Sequence, residues 1–379
     1  MRRFQKRRQR RGLAIILVVL CIVVISTMSA LVIDMGYIGN ARAELQRSAD
    51  AAALAACWTM GEEFATGQST SNVFSSVRTT AVSTAGSNDI CNDFPTVSTS
   101  DVVIGYLGDF DSATETMDTS SAVDANAVEV TVNRNASLNG QVRTFFAQAI
   151  GVRGVDAQAS ATAVIIRSIL GFETPGDGSN LDILPFALDL DTWNALKAGT
   201  GTDNYGWNSS GKYVYGGTDN VLEVNLYPQG TGSPGNRGTV DIGGSNNSTS
   251  DIARQIVHGI SPADLADLGK PLVLDDSTYE LTLNGDTGIS AGVKDELASI
   301  IGQTRCIPIF SEVNGPGNNA IFTIVEWAGV RIMGVKLTGP MKKKHLTVQP
   351  CAISMSGVVP SVAGSGSSSY VYSRAFLIR

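Results

Sequence analysis

The residues best placed to do covalent chemistry are in Gly288-Ile-Ser-Ala-Gly292, a GxSxG run between a predicted strand (Tyr279 to Leu283) and a predicted helix (Val293 to Ile301). In a hydrolase elbow, small flanking residues let a strained serine aim its hydroxyl at the substrate. Ser290 would then be the nucleophile and His345 the downstream base, with Asp295 or Glu312 as the orienting acid. Neither acid has a persuasive context, and His345 follows Lys342-Lys343-Lys344, whose charge disfavours the imidazolium that the reaction forms. Ser290 is equally well placed to cap the helix that follows it. We expect the cap and no enzyme; an anchored serine hydrolase using Ser290 and His345 is the weaker alternative.

The other chemical signals are thinner. Gly230-Thr-Gly-Ser-Pro-Gly235 satisfies GxGxxG and follows a strand, yet Pro234, Asn236 and Arg237 lead into another strand, where a dinucleotide site needs a helix. It reads as a turn. Acidic turns at Asp109, Asp111 and Glu115, at Asp189 and Asp191, and at Asp275 and Asp276 lack EF-hand spacing and are expected to be solvated. Histidine occurs only at 258 and 345, too few for a histidine metal cluster. No cofactor, metal or small-molecule substrate is expected. Cys21 lies in an apolar run, and four cysteines outside it allow three pairings. The local pairs Cys57 with Cys91 and Cys306 with Cys351 are favoured, which would suit an oxidising compartment.

The element that positions everything else is Leu13 to Ile33, an uncharged stretch dominated by Leu, Ile, Val and Ala. As a helix it reaches roughly 32 Å, enough to cross a hydrocarbon core of about 30 Å. Seven cations (Arg2, Arg3, Lys6, Arg7, Arg8, Arg10, Arg11) and no acid precede it. Basic flanks stay on the cytoplasmic side, so the chain beyond Asp34 is expected outside the cell membrane, held by a single pass. A cleaved signal would have a shorter apolar core, with its small residues beyond it. A prepilin-type leader cut after Gly12 would carry Glu where Leu17 stands. A retained anchor is the better reading. At its outer mouth Asp34 is expected to meet headgroup water, or alternatively to pair with a cation of a neighbouring subunit.

Setting the seven tail cations aside leaves 21 of the 28 Lys and Arg against 35 Asp and Glu, a surplus of 14 negative charges that repels phosphate backbones. Nucleic acid is therefore excluded as a partner.

Beyond the anchor, MGYIGNARAELQRSADAAALAACWTMG is rich in helix formers, and Ile38, Leu45, Ala49, Ala52, Ala53 and Ala56 form one smooth apolar face. That face packs either on its own domain or also on other subunits; the subunit-contact candidates are Asp34, Gly36, Tyr37, Leu45, Ala49, Ala52 and Ala53. The run Asp34, Gly36, Tyr37, Ala41, Arg42, Leu45, Gln46, then Ala49-Asp-Ala-Ala-Ala-Leu-Ala55 resembles the signature after the membrane helix of TadE/TadG-like Flp pilus-assembly proteins. It departs at Arg47-Ser48, where Asn-Ala is usual. The resemblance implies a membrane-anchored, non-enzymatic component of a Flp/Tad-type pilus or related secretion apparatus, whose partners are membrane lipid and other assembly subunits. An anchored binding or adhesion protein is the alternative. The Asp-x-Ser-x-Ser metal run of some TadG-like proteins is absent.

The expected fold is α+β. A basic tail (1–12) and a transmembrane helix (13–33) lead into an extended Ala-rich helix with a small α+β pilin-like domain (34–168). A linker (169–180) and a mainly antiparallel β domain with a few short helices (181–379) follow. Strands are predicted at Val102 to Tyr106, Ala127 to Val132 and Val155 to Ile166, and a helix over Val142 to Ile150 with Gly151 as its cap. The short helices are predicted at Ser250 to His258, Ser261 to Leu268 and Gly292 to Ile301.

Overall fold

The chain is built on one helix, α1 (Gln9–Ala65), whose 57 residues span about 85 Å. A computed structural model describes residues 9–65, 68–108, 116–120, 122, 124–227, 237–244, 248–286, 289–315, 319–361 and 368–378. The residues proposed for the GxGxxG turn, Gly288, the turn acids Asp109, Asp111 and Glu115, and the cations from Arg2 to Arg8 lie outside these. The chain divides into two compact units: Met1–Thr59 with Phe74–Val164 and Phe376–Arg379, and Met60–Val73 with Ile165–Ala375.

In the first unit α1 is the spine. A second helix, α2 (Thr70–Ala85), turns back along it: Thr59 Oγ1 bonds Thr80 Oγ1 at 3.2 Å, and Ser48 Oγ donates to the Ala85 carbonyl. The composition of α2 hides it, since Ser and Thr dominate, yet Val73, Val77, Ala81 and Ala85 recur at four-residue steps and are fully buried. A four-stranded antiparallel sheet completes the unit, in the order β1 (Val102–Gly105), β2 (Ala127–Arg134), β5 (Ala157–Val164) and the C-terminal strand Phe376–Ile378. These strands alternate inward apolar residues (Val128, Val130 and Val132 of β2; Ala161 and Ala163 of β5) with more exposed ones.

The predicted helix over Val142 to Ile150 is mostly something else. Val142–Arg143 (β3) pairs with Gly154–Val155 (β4), and only Ala147–Ile150 is helical, as one 3-10 turn. Gly151 does cap it, at φ 91°, a conformation that a β-carbon disfavours.

The second unit is mixed α/β with mostly antiparallel strands. Its eight-stranded sheet contains a closed ring: β7 (Phe186–Asp189), Arg237–Val240, Leu281–Asp286, β9 (Ala320–Lys336) and β8 (Thr304–Asn314), which pairs with both β9 and β7. Closure leaves those strands without a free edge to recruit another chain. β10 (His345–Pro350) extends the sheet from the far half of β9. Ile169–Phe172 (β6), placed in a linker by composition, is a strand between Leu272–Val273 and Val358–Pro360. Gly171 is required there, because a β-carbon on it would lie 1.9 Å from the Leu272 carbonyl oxygen.

The short helices fall close to expectation: Thr249–His258, Pro262–Leu268 behind the Ser261 capping box, and Lys294–Ser299. A further one, Leu190–Lys197, starts at Asp189, whose carboxylate accepts from Thr192 N at 2.8 Å.

Neither predicted disulfide exists; all five cysteines are free thiols. Cys91 N donates to Glu44 Oε2 at 2.8 Å, whereas Cys57 lies thirteen residues, about 20 Å, further along α1. Cys306 pairs in register with Gly329 from one side of β9, and Cys351 N bonds the Gly329 carbonyl from the other. Their α-carbons are thus two strand spacings apart, about 10 Å, beyond what a disulfide spans. Burial pushes the thiol pKa of Cys306 well up, which keeps it inert.

Candidate functional site

Residues 14–33 of α1 have nothing over them: Ile15, Ile16, Leu20 and Ile25 are each more than 60 % exposed, and only Ala30 is half-buried. This is the one helix among the described residues long and apolar enough to cross a membrane. The exposure ends abruptly at Asp34, which is 3 % exposed.

Asp34 is buried, and both of its carboxylate oxygens are engaged within the chain. Its Oδ1 accepts from Phe145 N at 2.7 Å, its Oδ2 from Ala147 N at 2.7 Å, and Phe146 N lies 3.2 and 3.0 Å from the two oxygens. Three successive amides at the start of the 3-10 turn therefore converge on one carboxylate, a charge-assisted cap supplied from 111 residues away in the chain. Next to it the Tyr37 ring meets Phe145 edge-on, centroids 5.1 Å apart. An amide in place of the carboxylate keeps one acceptor and loses the charge. Asp34→Asn is expected to speed amide hydrogen exchange at Phe145, Phe146 and Ala147 while leaving β2 and β5 protected; unchanged exchange at those three amides would contradict the cap.

Further along α1, the alanine face is used by the chain itself. Leu45, Ala49, Ala52, Ala53, Ala56 and Cys57 are fully buried in the first unit. Gln46 Nε2 donates to the Ser160 carbonyl of β5, and the Cys57 thiol reaches the Asn126 carbonyl beside β2. Small side chains on this face let neighbouring backbone approach α1 closely. Leu45, Ala49, Ala52 and Ala53, proposed above for subunit contact, are thus occupied internally, as is Asp34. Tyr37 is half-buried against Phe145, and Gly36 stays exposed, with open space where a β-carbon would be. The 90–93 turn is fixed to the same unit by Arg134, which donates to the Ile90 carbonyl at 2.7 Å and to Asp93 at 3.1 Å.

These observations place a bare apolar span, the acid that caps a distant loop and a small-residue spine on one continuous helix. Residues 12–61 match the family model of the TadE/G-like Flp pilus-assembly domain. No curated protein and no solved structure matches the chain. The TadE/G-like segment lies wholly within α1, so it comprises the span together with the spine packed on the first unit's sheet.

The residues weighed for catalysis belong to the second unit, where each has a local role. Ser290 is the N-cap of a 3-10 turn, its hydroxyl accepting from Gly292 N at 3.1 Å. His345 Nε2 meets the Tyr205 hydroxyl at 3.4 Å and its Nδ1 the Lys343 carbonyl, so its hydrogen bonds do not reach the serine. Asp295 pairs with Lys294 at the surface, and Glu312 is exposed.

Asp189 uses Oδ1 in its helix cap, and Asp275 serves a turn, where the hydroxyl and amide of Ser277 and the Thr278 amide lower its pKa to about 2. No group of three or more His, Cys, Asp or Glu suited to a metal occurs among the described residues.

A hollow of about 580 Å³ in the second unit is lined by Asp241, Asp251, Asp264 and Asp267, with Arg254 the cation among them. Burial raises the Asp241 pKa, with Asp251 adding to the effect. For Asp264 burial acts upward too, yet the bidentate Arg254 pair (2.5 and 3.1 Å) and Ser261 outweigh it, so the net direction is down. A carboxyl with a lowered folded pKa contributes stability that is whole above its ordinary value near 3.8 and drains as pH falls through the lowered one. Asp264→Asn is expected to lower Tm at pH 7, and the difference from the parent protein is expected to shrink as pH falls below the ordinary carboxyl value and through the lowered one. A Tm difference independent of pH would show that the ionised pair contributes nothing.

Proposed function

We propose that this chain is a single-pass, non-enzymatic component of Flp/Tad-type pilus assembly or a related secretion apparatus. It sits in the inner membrane with its N-terminus in the cytoplasm and both folded units outside. The observation that carries the reading is the TadE/G-like segment itself, in which an uncovered apolar span runs without a break into the packing spine of a folded unit. A helix continuous across the membrane surface holds the first unit rigidly at a fixed height, as a scaffold component requires. The orientation rests on the seven cations before Leu13. The free thiols lend it nothing, since the cysteine pairs once favoured are absent.

Because the alanine face is already packed, partners must use other surfaces. The candidates are the exposed side of α1 around Gly36 and the outer faces of the two units.

Purification of the tagged full-length protein from detergent-solubilised membranes of its host tests the reading. Recovery with pilus-assembly subunits supports it, and recovery with a surface carbohydrate or other ligand instead favours an anchored binding protein. A fluorophosphonate probe that labels Ser290, with labelling lost in Ser290→Ala, would overturn the non-enzymatic part. Protease protection of both units in intact spheroplasts would overturn the orientation.

A further inference from the structure

We infer that the loop from Phe145 to Val152 is a second membrane contact, an interfacial anchor that lies in the bilayer surface beside α1. The inference rests on the reading of residues 13–33 as a membrane span. Phe145 is 57 % exposed, Phe146 49 %, Ile150 81 % and Val152 42 %, four large apolar side chains within eight residues. A soluble surface rarely gathers such residues on one tight loop without a partner for them.

The partner is indicated by where the loop is held. Its amides at 145–147 bond the carboxylate of Asp34, the first residue past the span, and Phe145 also stacks edge-on against Tyr37 one turn above. The loop is therefore fixed within a few ångströms of the level at which α1 leaves the hydrocarbon. Ile33 and Met35, on either side of Asp34, are 52 % and 65 % exposed, so the apolar surface of the loop continues that of the span.

The loop is also rigid enough to stay there. Val152 N donates to the Ala147 carbonyl at 3.0 Å, Thr144 N to the Arg153 carbonyl at 3.3 Å, and the Thr144 hydroxyl to the Val152 carbonyl at 2.5 Å. At its neck Arg143 and Arg153 are exposed, placed to meet lipid phosphates while the apolar tip enters the boundary. Aromatic and aliphatic tips backed by cations are the chemistry of an interfacial anchor. A loop and a helix fixed to each other also resist tilting, which a single pass alone does not.

The test uses full-length protein in phosphatidylcholine–phosphatidylglycerol vesicles whose acyl chains carry bromine near the glycerol end. Phe146→Trp and Ile150→Trp are compared with the parent, whose own tryptophans, Trp58 on α1 among them, supply the background. The added signal of each variant is expected to be quenched about twofold or more, since an interfacial side chain enters the boundary by about 5–10 Å. The parent signal is expected to hold, because Trp58 lies about 36 Å beyond Asp34 along the helix. Protein that floats with the vesicles while both added signals stay unquenched overturns the loop contact and leaves the span intact. Protein that fails to float overturns the span and the loop contact with it.

Discussion

Aspartate at both Leu20 and Val24 is expected to empty the chain from the membrane fraction. The two positions are one helical turn apart near the middle of the apolar span, and both are uncovered, at 63 % and 46 % exposure. Among the described residues, no side chain covers these positions. Each carboxylate at the centre of a spanning helix costs about 2.5–3.5 kcal/mol, so the pair costs about 5–7 kcal/mol. That is a shift of about four to five orders of magnitude in the partition between bilayer and water. Carbonate extraction followed by flotation reads it directly. Because the folded units begin past Asp34, their β-sheet circular dichroism is expected to survive the change. Variants that remain with the floated membranes would remove the physical basis of the anchor.

The second large effect is expected at Glu326, in the second unit. This side chain of β9 is 6 % exposed and accepts from Trp193 Nε1 at 3.0 Å, from Lys197 Nζ at 3.3 Å and from the Ser369 hydroxyl. It joins the helix Leu190–Lys197 to the central strand of the second unit. Glu326→Ala strands a fully buried indole N–H and leaves the ammonium with no carboxylate. The indole term dominates, since Lys197 is a third exposed and water recovers part of its loss. The expected loss is about 3 kcal/mol, read from denaturant unfolding of the detergent-solubilised full chain. Glu326→Gln keeps an acceptor for Trp193 and is expected to lose about half as much. Equal stability of the alanine variant and the parent would mean that water substitutes for the carboxylate, against its burial.

Much of the site was legible from local patterns. The apolar run, the basic residues before it and the alanine spacing after it each report on a single segment. A helix keeps its period and its hydropathy whatever it packs against. The TadE/G-like signature could be read for the same reason, since it lies within one uninterrupted helix. Strands β1, β2 and β5 and the caps at Ser261, Ser290 and Gly151 were equally local. α2 escaped because its Ser- and Thr-rich composition obscured a four-residue period that was nonetheless present.

What the sequence by itself determined is a membrane-length apolar rod, an alanine-faced continuation of it and a β-rich remainder. The tertiary structure decided what each of these touches. It gave the alanine face to the chain's own sheet, left Cys57 far from Cys91, and set Cys306 and Cys351 on opposite sides of β9. It also joined Asp34 to amides 111 residues away and returned the strand Phe376–Ile378 to the first sheet. The physical reason is that periodicity and capping are set by neighbours within a few residues. Which distant amide meets a carboxylate, and which strand fills a sheet edge, depends instead on the packing of the whole chain.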